Sequence, residues 1–205
     1  MAKYELTDET KVVYGVTLHR IRALTAIGLT VAAGQLGGWV ESEKNLDLSG
    51  NAWVSGDAWV SGNAQVFGDA RVSGNAWVSG DARVSGDAQV FGNARVFGDA
   101  WVSGDARVSG NAWVSGNAWV SKTRHYLLIG PVGSEDRTVT ICRTRADDTT
   151  GHYVQAGCWA GTVDQLAERI TTAWPDLSEK KRARYRGEYE AVIALARPRI
   201  ERWVK

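Results

Sequence analysis

The chain has 205 residues, 44% of them hydrophobic, and a formal charge of +1, the make-up of an ordinary globular protein with one or two domains. That near-neutral balance argues for no particular class of partner. Two cysteines, Cys142 and Cys158, are too few for a disulfide framework and lack zinc-site spacing, so a reduced, intracellular setting is expected. The opening MAKYELTDETK carries no apolar signal-peptide core, and the apolar run Ile21–Val40 is broken by Arg22, Thr25, Thr30, Gln35 and several glycines. No signal peptide and no membrane span are therefore expected. KYEL and KVVYGVTLHRIRAL read as strands with a turn at Tyr14-Gly15, and Gly34, Gly37 and Gly38 punctuate the stretch between these strands and Lys44. Residues 1–43 are read as an N-terminal β cap.

From Gly50 to Ser121 the chain repeats every six residues. Gly recurs from 50 to 116, Ala from 52 to 118 and Val from 54 to 120, through twelve units without an insertion. Ala and Val are two apart, so they share one side of an extended chain, while the residue between them points to the other. The Asn or Asp after each Gly is turn chemistry, since both tolerate left-handed backbone angles. Each unit is thus a short strand and a corner, and one such strand cannot bury itself without stacked copies. Three units per turn make an 18-residue coil, giving about four coils. An imperfect unit, KNLDLS (44–49), precedes them, with Leu46 and Leu48 in the Ala and Val slots. The pattern over 44–121 resembles the bacterial hexapeptide-repeat proteins. That resemblance implies a left-handed parallel β-helix assembled as a homotrimer.

Eighteen-residue spacing sorts the outward positions into three columns: Trp53, Arg71, Gln89, Arg107; then Trp59, Trp77, Arg95, Trp113; then Gln65, Arg83, Trp101, Trp119. Phe67, Phe91 and Phe97 take the other outward slot, otherwise Ser. Outward tryptophans mark a contact surface. Three readings stand together: subunit packing, a ligand groove in which Trp and Arg stack on a base or sugar, and covering by the chain's own terminal segments. Trp59, Trp77, Trp113 and Phe97 are the candidates for a subunit contact; Arg71, Arg83, Arg95, Arg107 and Trp101 are the candidates for ligand binding. The column Asn51, Asp69, Asp87, Asp105 reads as turn chemistry, with a Ca²⁺ site as the alternative.

After Lys122 the composition changes and the net charge of the segment rises to +4. HYLLIG (125–130), RTVTICR (137–143) and HYVQAG (152–157) read as strands, separated by the loops GPVGSED and ADDTTG. Thr162 and Gln165 form a capping box for a helix reaching about Trp174, stopped by Pro175. A second helix starts near Ser178 and places Tyr185, Tyr189, Val192, Ile193, Ala196 and Ile200 on one face, with Pro198 expected to kink or fray its end. Residues 122–205 are read as a small α+β domain. Gly130, Gly133 and Ser134 are candidates for an anion-binding loop, and Ser134 and Arg137 are candidates for ligand binding. The cluster Lys180, Lys181, Arg182, Arg184, Arg186 is a solvated face or a phosphate contact.

Hexapeptide-repeat enzymes are mostly acyltransferases with a His general base and a protruding loop, or carbonic anhydrases with three His on zinc. Here His19, His125 and His152 lie outside the repeats, no loop interrupts them, and the coils contain no Cys, Tyr, Lys, Glu or His. The expectation is a protein without catalytic residues, cofactor or metal; Cys158 in AGCWAGT is the one candidate nucleophile, and a structural role for it is the commoner reading. KYELTDETK, TLHRIRAL and LGGWVESEKNL, with HYLLIGPVGS and GCWAGTVDQL, resemble a family of phage and prophage proteins with GNAxV-type repeats. The resemblance implies a small, non-structural accessory protein acting inside an infected bacterium, in the host cytoplasm, and brings no known active site; with the catalytic groups missing from the coils, a non-enzymatic homotrimer is expected. The expected role is counter-defence, by sequestering a nucleotide-type immune signal or blocking a host defence protein. Alternatives are an architectural trimeric spacer or virion-associated module, and an acyltransferase-like enzyme. No membrane and no sequence-specific nucleic acid are expected among its partners.

Overall fold

A computed structural model describes residues 2–145 and 151–203, which fall into two units, 1–123 and 124–205. In the first unit each repeat contributes a two-residue strand made of the variable position and Val, such as Arg71–Val72. Strands eighteen residues apart pair in parallel: Arg71 with Gln89, Gln89 with Arg107, Val72 with Val90. Three sheets result, one per side, and every inward Ala and Val from Ala52 to Val120 is fully buried. The molecule is mainly β, a parallel β-solenoid of about five turns once the first, irregular coil is included. Adjacent coils are tied by backbone hydrogen bonds on every side, for example Arg71 N–H to the Ala88 carbonyl and Ser73 N–H to the Val90 carbonyl, both 2.9 Å.

The corners work differently from the sequence expectation. Glycine, not Asn or Asp, takes the left-handed backbone angle: Gly74 has φ +69°, and a Cβ there would lie 3.0 Å from the amide nitrogen of Gly92 in the next coil. Both the angle and the close approach require glycine. The Asn and Asp side chains instead stack in ladders. Asn75 donates to Asn93 and Asn93 to Asn111, each at 3.2 Å, and Asn51 donates to Asp69 at 2.7 Å.

The first coil starts earlier than the repeat does. Leu36–Val40 lies parallel to Trp59–Val60, pairing Trp39 with Trp59 and Val40 with Val60. Leu46 then bridges to Val66 and is fully buried. This coil is twenty residues long, so extrapolating the six-residue register assigned the leucines wrongly: Leu46 fills the Val slot, and Leu48 is 48% exposed.

The 1–43 segment belongs to the same unit as the coils. Tyr4–Val13 and Val16–Ala23 form an antiparallel hairpin, with Tyr14 and Gly15 both at positive φ as a two-residue turn demands. The second strand of the hairpin pairs with Leu36–Val40 and so covers one edge of the solenoid. The other two sides are capped by side chains. In later coils, Ala and Gly carbonyls accept N–H groups from the coil above. Here the Lys3 ammonium donates to Ser49, Gly50 and Ala52 carbonyls at 3.1, 3.2 and 3.0 Å. The Asn45 amide donates to Gly62 and Ala64 carbonyls, and the Tyr4 hydroxyl to those of Glu43 and Leu46. These donors stand in for the backbone of a coil that does not exist.

In the second unit, Tyr126–Val132, Arg137–Arg143, His152–Ala156 and Trp159–Gly161 form an antiparallel sheet in chain order. The last strand was not anticipated. The expected loop ADDTTG lies, apart from Gly151, outside the described residues. Helices Val163–Thr172 and Glu179–Ile200 pack Leu166, Ile170, Val192 and Ile193 against Val139, Ile141 and Val154. The capping box forms as expected: Gln165 N–H donates to Thr162 Oγ1, and Thr162 N–H to Gln165 Oε1. The second helix runs past Pro198 to Ile200. Proline removes only its own N–H there, and Glu201 N–H still reaches the Arg197 carbonyl.

Burial, reinforced by the charges of Glu43 and Asp47, pushes the Tyr4 hydroxyl from an ordinary value near 10 up to about 12. Above pH 10 the unfolded chain releases this proton while the folded chain keeps it. Stability is therefore lost as pH rises from about 10 towards 12. Tyr4→Phe is expected to cost about 1–2 kcal/mol at neutral pH, because two carbonyls lose their donor. It should also shrink the alkaline loss of stability, as read from denaturant midpoints at pH 8 and pH 11.

Candidate ligand pocket

The outward columns form three separate faces, which split the candidate residues among them; of the ligand-binding candidates Arg71 and Arg107 line one groove together. On the Trp59 face the chain covers much of its own ladder. Trp59 is only 8% exposed and stacks on Trp77 with ring centroids 4.4 Å apart, while Tyr14 from the hairpin turn lies 5.4 Å from Trp77. Lys11 sits 4.3 Å over Trp39. Trp59 thus meets its own hairpin, which carries Val13, Val16 and Leu18 onto it. Further along, Arg95 fits between Trp77 and Trp113 at 5.5 and 5.1 Å, and Phe97 meets Trp113 edge-on. Each such contact contributes about 0.5–2 kcal/mol. Arg95 is therefore part of a stack internal to the chain. Trp113 and Phe97 remain half-exposed.

Of the other candidates, Arg71 and Arg107 share a face with Trp53. Trp53 is 2% exposed and packs where Gly37 leaves room: a Cβ on Gly37 would come within 2.6 Å of the ring. The Arg107 guanidinium lies 5.5 Å over Phe91, beside a shallow groove of about 340 Å³. Arg83 is exposed on the third face, where Trp101 donates its indole N–H to Ser85 at 2.9 Å. The Asp69 column forms no metal site: no group of three or more His, Cys, Asp or Glu among the described residues is arranged to hold an ion.

Ser134 and Arg137 do meet, in a cavity of about 420 Å³ within the second unit. Two turns and a helix end build it. The turn after Val132 needs Gly133, at φ +76°, since a Cβ would strike the Tyr189 ring at 2.8 Å. Its N–H donates to Glu188 at 2.8 Å, and this bond, with Arg184 alongside, holds the Glu188 carboxyl below its ordinary range. The turn Gly157-Cys158 presents Trp159, over which Arg169 of the first helix lies at 5.9 Å. That helix ends sooner than expected, at Thr172, and Trp174 adopts φ +58° directly before Pro175.

A left-handed backbone is costly for a bulky residue, on the order of 1–3 kcal/mol, and persists only where its surroundings impose it. Here the imposing contacts are visible. The Trp174 indole N–H donates to Ser134 Oγ at 3.1 Å, and its ring lies 5.7 Å from both Tyr185 and Tyr189. Burial, with Glu135 nearby, raises the Tyr189 hydroxyl above its ordinary value. The cavity thus has two indoles, a phenol, and the guanidinium groups of Arg137 and Arg169 around one concave surface. Such a lining holds a flat ring by stacking and an anion by charge-assisted hydrogen bonds. Of the residues singled out from the sequence, the ligand-binding candidates Ser134 and Arg137 and the candidate nucleophile Cys158 line this cavity, together with Trp159, Arg169, Trp174 and Tyr189, none of which the sequence marks as a site residue. The signal for them was weak: a helix stop at Trp174-Pro175 and an aromatic after Gly-Cys.

His152, by contrast, is committed elsewhere: its Nε2 accepts the N–H of Val163 at 2.9 Å, capping the first helix. No helix among the described residues is long and apolar enough to cross a membrane.

A family model described as the YdcK β-solenoid repeat matches residues 64–80, 88–104 and 106–122. The match falls wholly within the coils and their exit and agrees with their observed pairing, so the chain is a β-solenoid repeat protein. No curated protein matches the chain.

The two cysteines differ sharply in access. Cys142 is buried, which drives its thiol well above the usual range, whereas Cys158 is exposed at the pocket. Iodoacetamide at neutral pH is expected to add once per native chain, at Cys158, and a second time only after denaturation. Peptide mass spectrometry checks this, and early labelling of Cys142 would contradict the described sheet.

Proposed function

We propose that the protein is a non-enzymatic binding protein that captures a small planar anion of the nucleotide type in the pocket of its second unit. The observation that carries this reading is the placing of Trp159 and Trp174 around one cavity with Arg137 and Arg169. The base would stack on an indole, and the phosphate would take hydrogen bonds from guanidinium nitrogens. No covalent step is required. The solenoid would serve as a rigid carrier. In this proposal the half-exposed end of its ladder, at Trp113 and Phe97, contacts other copies in a homotrimer.

The resemblance of the terminal segments to phage and prophage proteins supports a setting in the cytoplasm of an infected bacterium. A binder without turnover suits counter-defence there, since holding a nucleotide-type immune signal lowers its free concentration. Blocking a host defence protein is the second form of the same proposal.

Isothermal titration of the purified chain with adenine mononucleotides and cyclic mononucleotides tests the reading. Binding is expected, with Arg169→Ala weakening it at least about tenfold, equivalent to about 1.4 kcal/mol, and Gln65→Ala on the coil leaving it unchanged. Absence of binding, or equal binding by Arg169→Ala, would sink the proposal.

A further inference from the structure

The anion-binding groups of the pocket are already partly neutralised by the chain itself. Arg137 directs both Nε and Nη2 at one oxygen of Glu135, at 2.7 and 2.6 Å. Both side chains line the cavity and both are more than half exposed, 59% and 64%. An exposed pair of this kind is weak and readily exchanged for another anion. The carboxylate nonetheless stays close, because it sits only two residues away in the same turn, and it repels any second negative charge brought to the site.

The charges facing the cavity floor can be counted. Arg137, Arg169, Glu135 and Glu188 all act on the Tyr189 hydroxyl. Glu188 is balanced by Arg184, which contacts it at 3.0 Å. Asp136 lies in the same turn but does not line the cavity, and its charge acts on Arg184. Two guanidinium groups and one carboxylate remain, a net charge of +1 at the rim.

Resting on the nucleotide reading above, we infer that the pocket selects a singly charged phosphodiester over a doubly charged terminal phosphate, and that Glu135 is the residue that imposes the choice. A phosphodiester carries one negative charge and neutralises the rim. A terminal phosphate, whose second ionisation lies near pH 6, carries nearly two at pH 7.5. Its extra charge finds Glu135 in place of a cation. The energetics need only a few ångströms of separation at intermediate dielectric to reach severalfold discrimination. Glu135 is thus a specificity residue, and Arg137 and Arg169 supply the attraction common to both ligands.

The test is titration of the full chain at low salt and pH 7.5 with 3′,5′-cyclic AMP and with 5′-AMP, on the native protein and on Glu135→Gln. Cyclic AMP is expected to bind at least about fivefold tighter than 5′-AMP to the native chain. In Glu135→Gln the ratio should fall below about twofold, through tighter binding of 5′-AMP. Equal or tighter native binding of 5′-AMP overturns the inference alone, as does a ratio that survives the substitution. Binding of neither probe overturns the nucleotide reading and this inference together.

Discussion

Everything in the first unit depends on each coil finding its hydrogen-bond partners in the coil below. A six-residue unit has one inward Ala and one inward Val, too little apolar surface to order itself. Its strand is only two residues long, so no single side of a coil is stable alone. Stacking at eighteen residues solves both problems together. Val lands on Val, and the amide of each outward residue reaches a carbonyl seventeen positions on, as between Trp77 and Ala94 or Arg95 and Ala112. The stacking also forces glycine at the corners, where successive backbones approach too closely for a Cβ. The same constraint makes the ends vulnerable, and Lys3, Tyr4 and Asn45 answer it with side-chain donors at the top.

The fold was legible because the period states the geometry outright. Strand positions, inward residues and outward columns all follow from six and eighteen, and the pairing agrees residue by residue. Legibility failed where the period failed. Leu46 and Leu48 were misplaced because the first coil has two extra residues, which no repeat count shows. The Asn and Asp corners were read through backbone preference, whereas their part is side-chain stacking between coils. The hairpin turn at Tyr14-Gly15 is plain in the sequence, but its contact with Trp77 is not, and the strands that carry it shift register between Leu6 and Thr10 and between Arg20 and Arg22. Such irregularities bend strands and leave little trace in sequence.

The pocket was only half legible, for a related reason. Regular repeats hold their outward groups apart: Arg71, Arg83 and Arg95 point from three different sides, and a single column offers only a shallow groove, as at Arg71 and Arg107. Gathering residues from distant elements around one cavity takes irregular backbone. In the second unit a tight glycine turn at Gly133, a second at Gly157 and the left-handed Trp174 bring distant residues around one volume. Ser134 was noticed as a loop residue. Its use, holding the Trp174 indole, depends on a helix ending at Thr172 where the sequence pattern ran on to Trp174. The division of labour is physical: a regular stack that keeps its outward groups on separate faces, and a small antiparallel sheet whose turns gather residues around one cavity.

The claim beneath all of this is the coil-to-coil ladder, and scalar coupling across hydrogen bonds measures it directly. In a uniformly ¹⁵N,¹³C-labelled chain, the Arg71 amide nitrogen should show coupling to the Ala88 carbonyl carbon, and Gln89 to Ala106, a separation of seventeen residues at every rung. Coupling of these outward-residue amides to carbonyls at another separation, or no coupling between coils across the repeat block, would contradict the solenoid and the faces drawn from it.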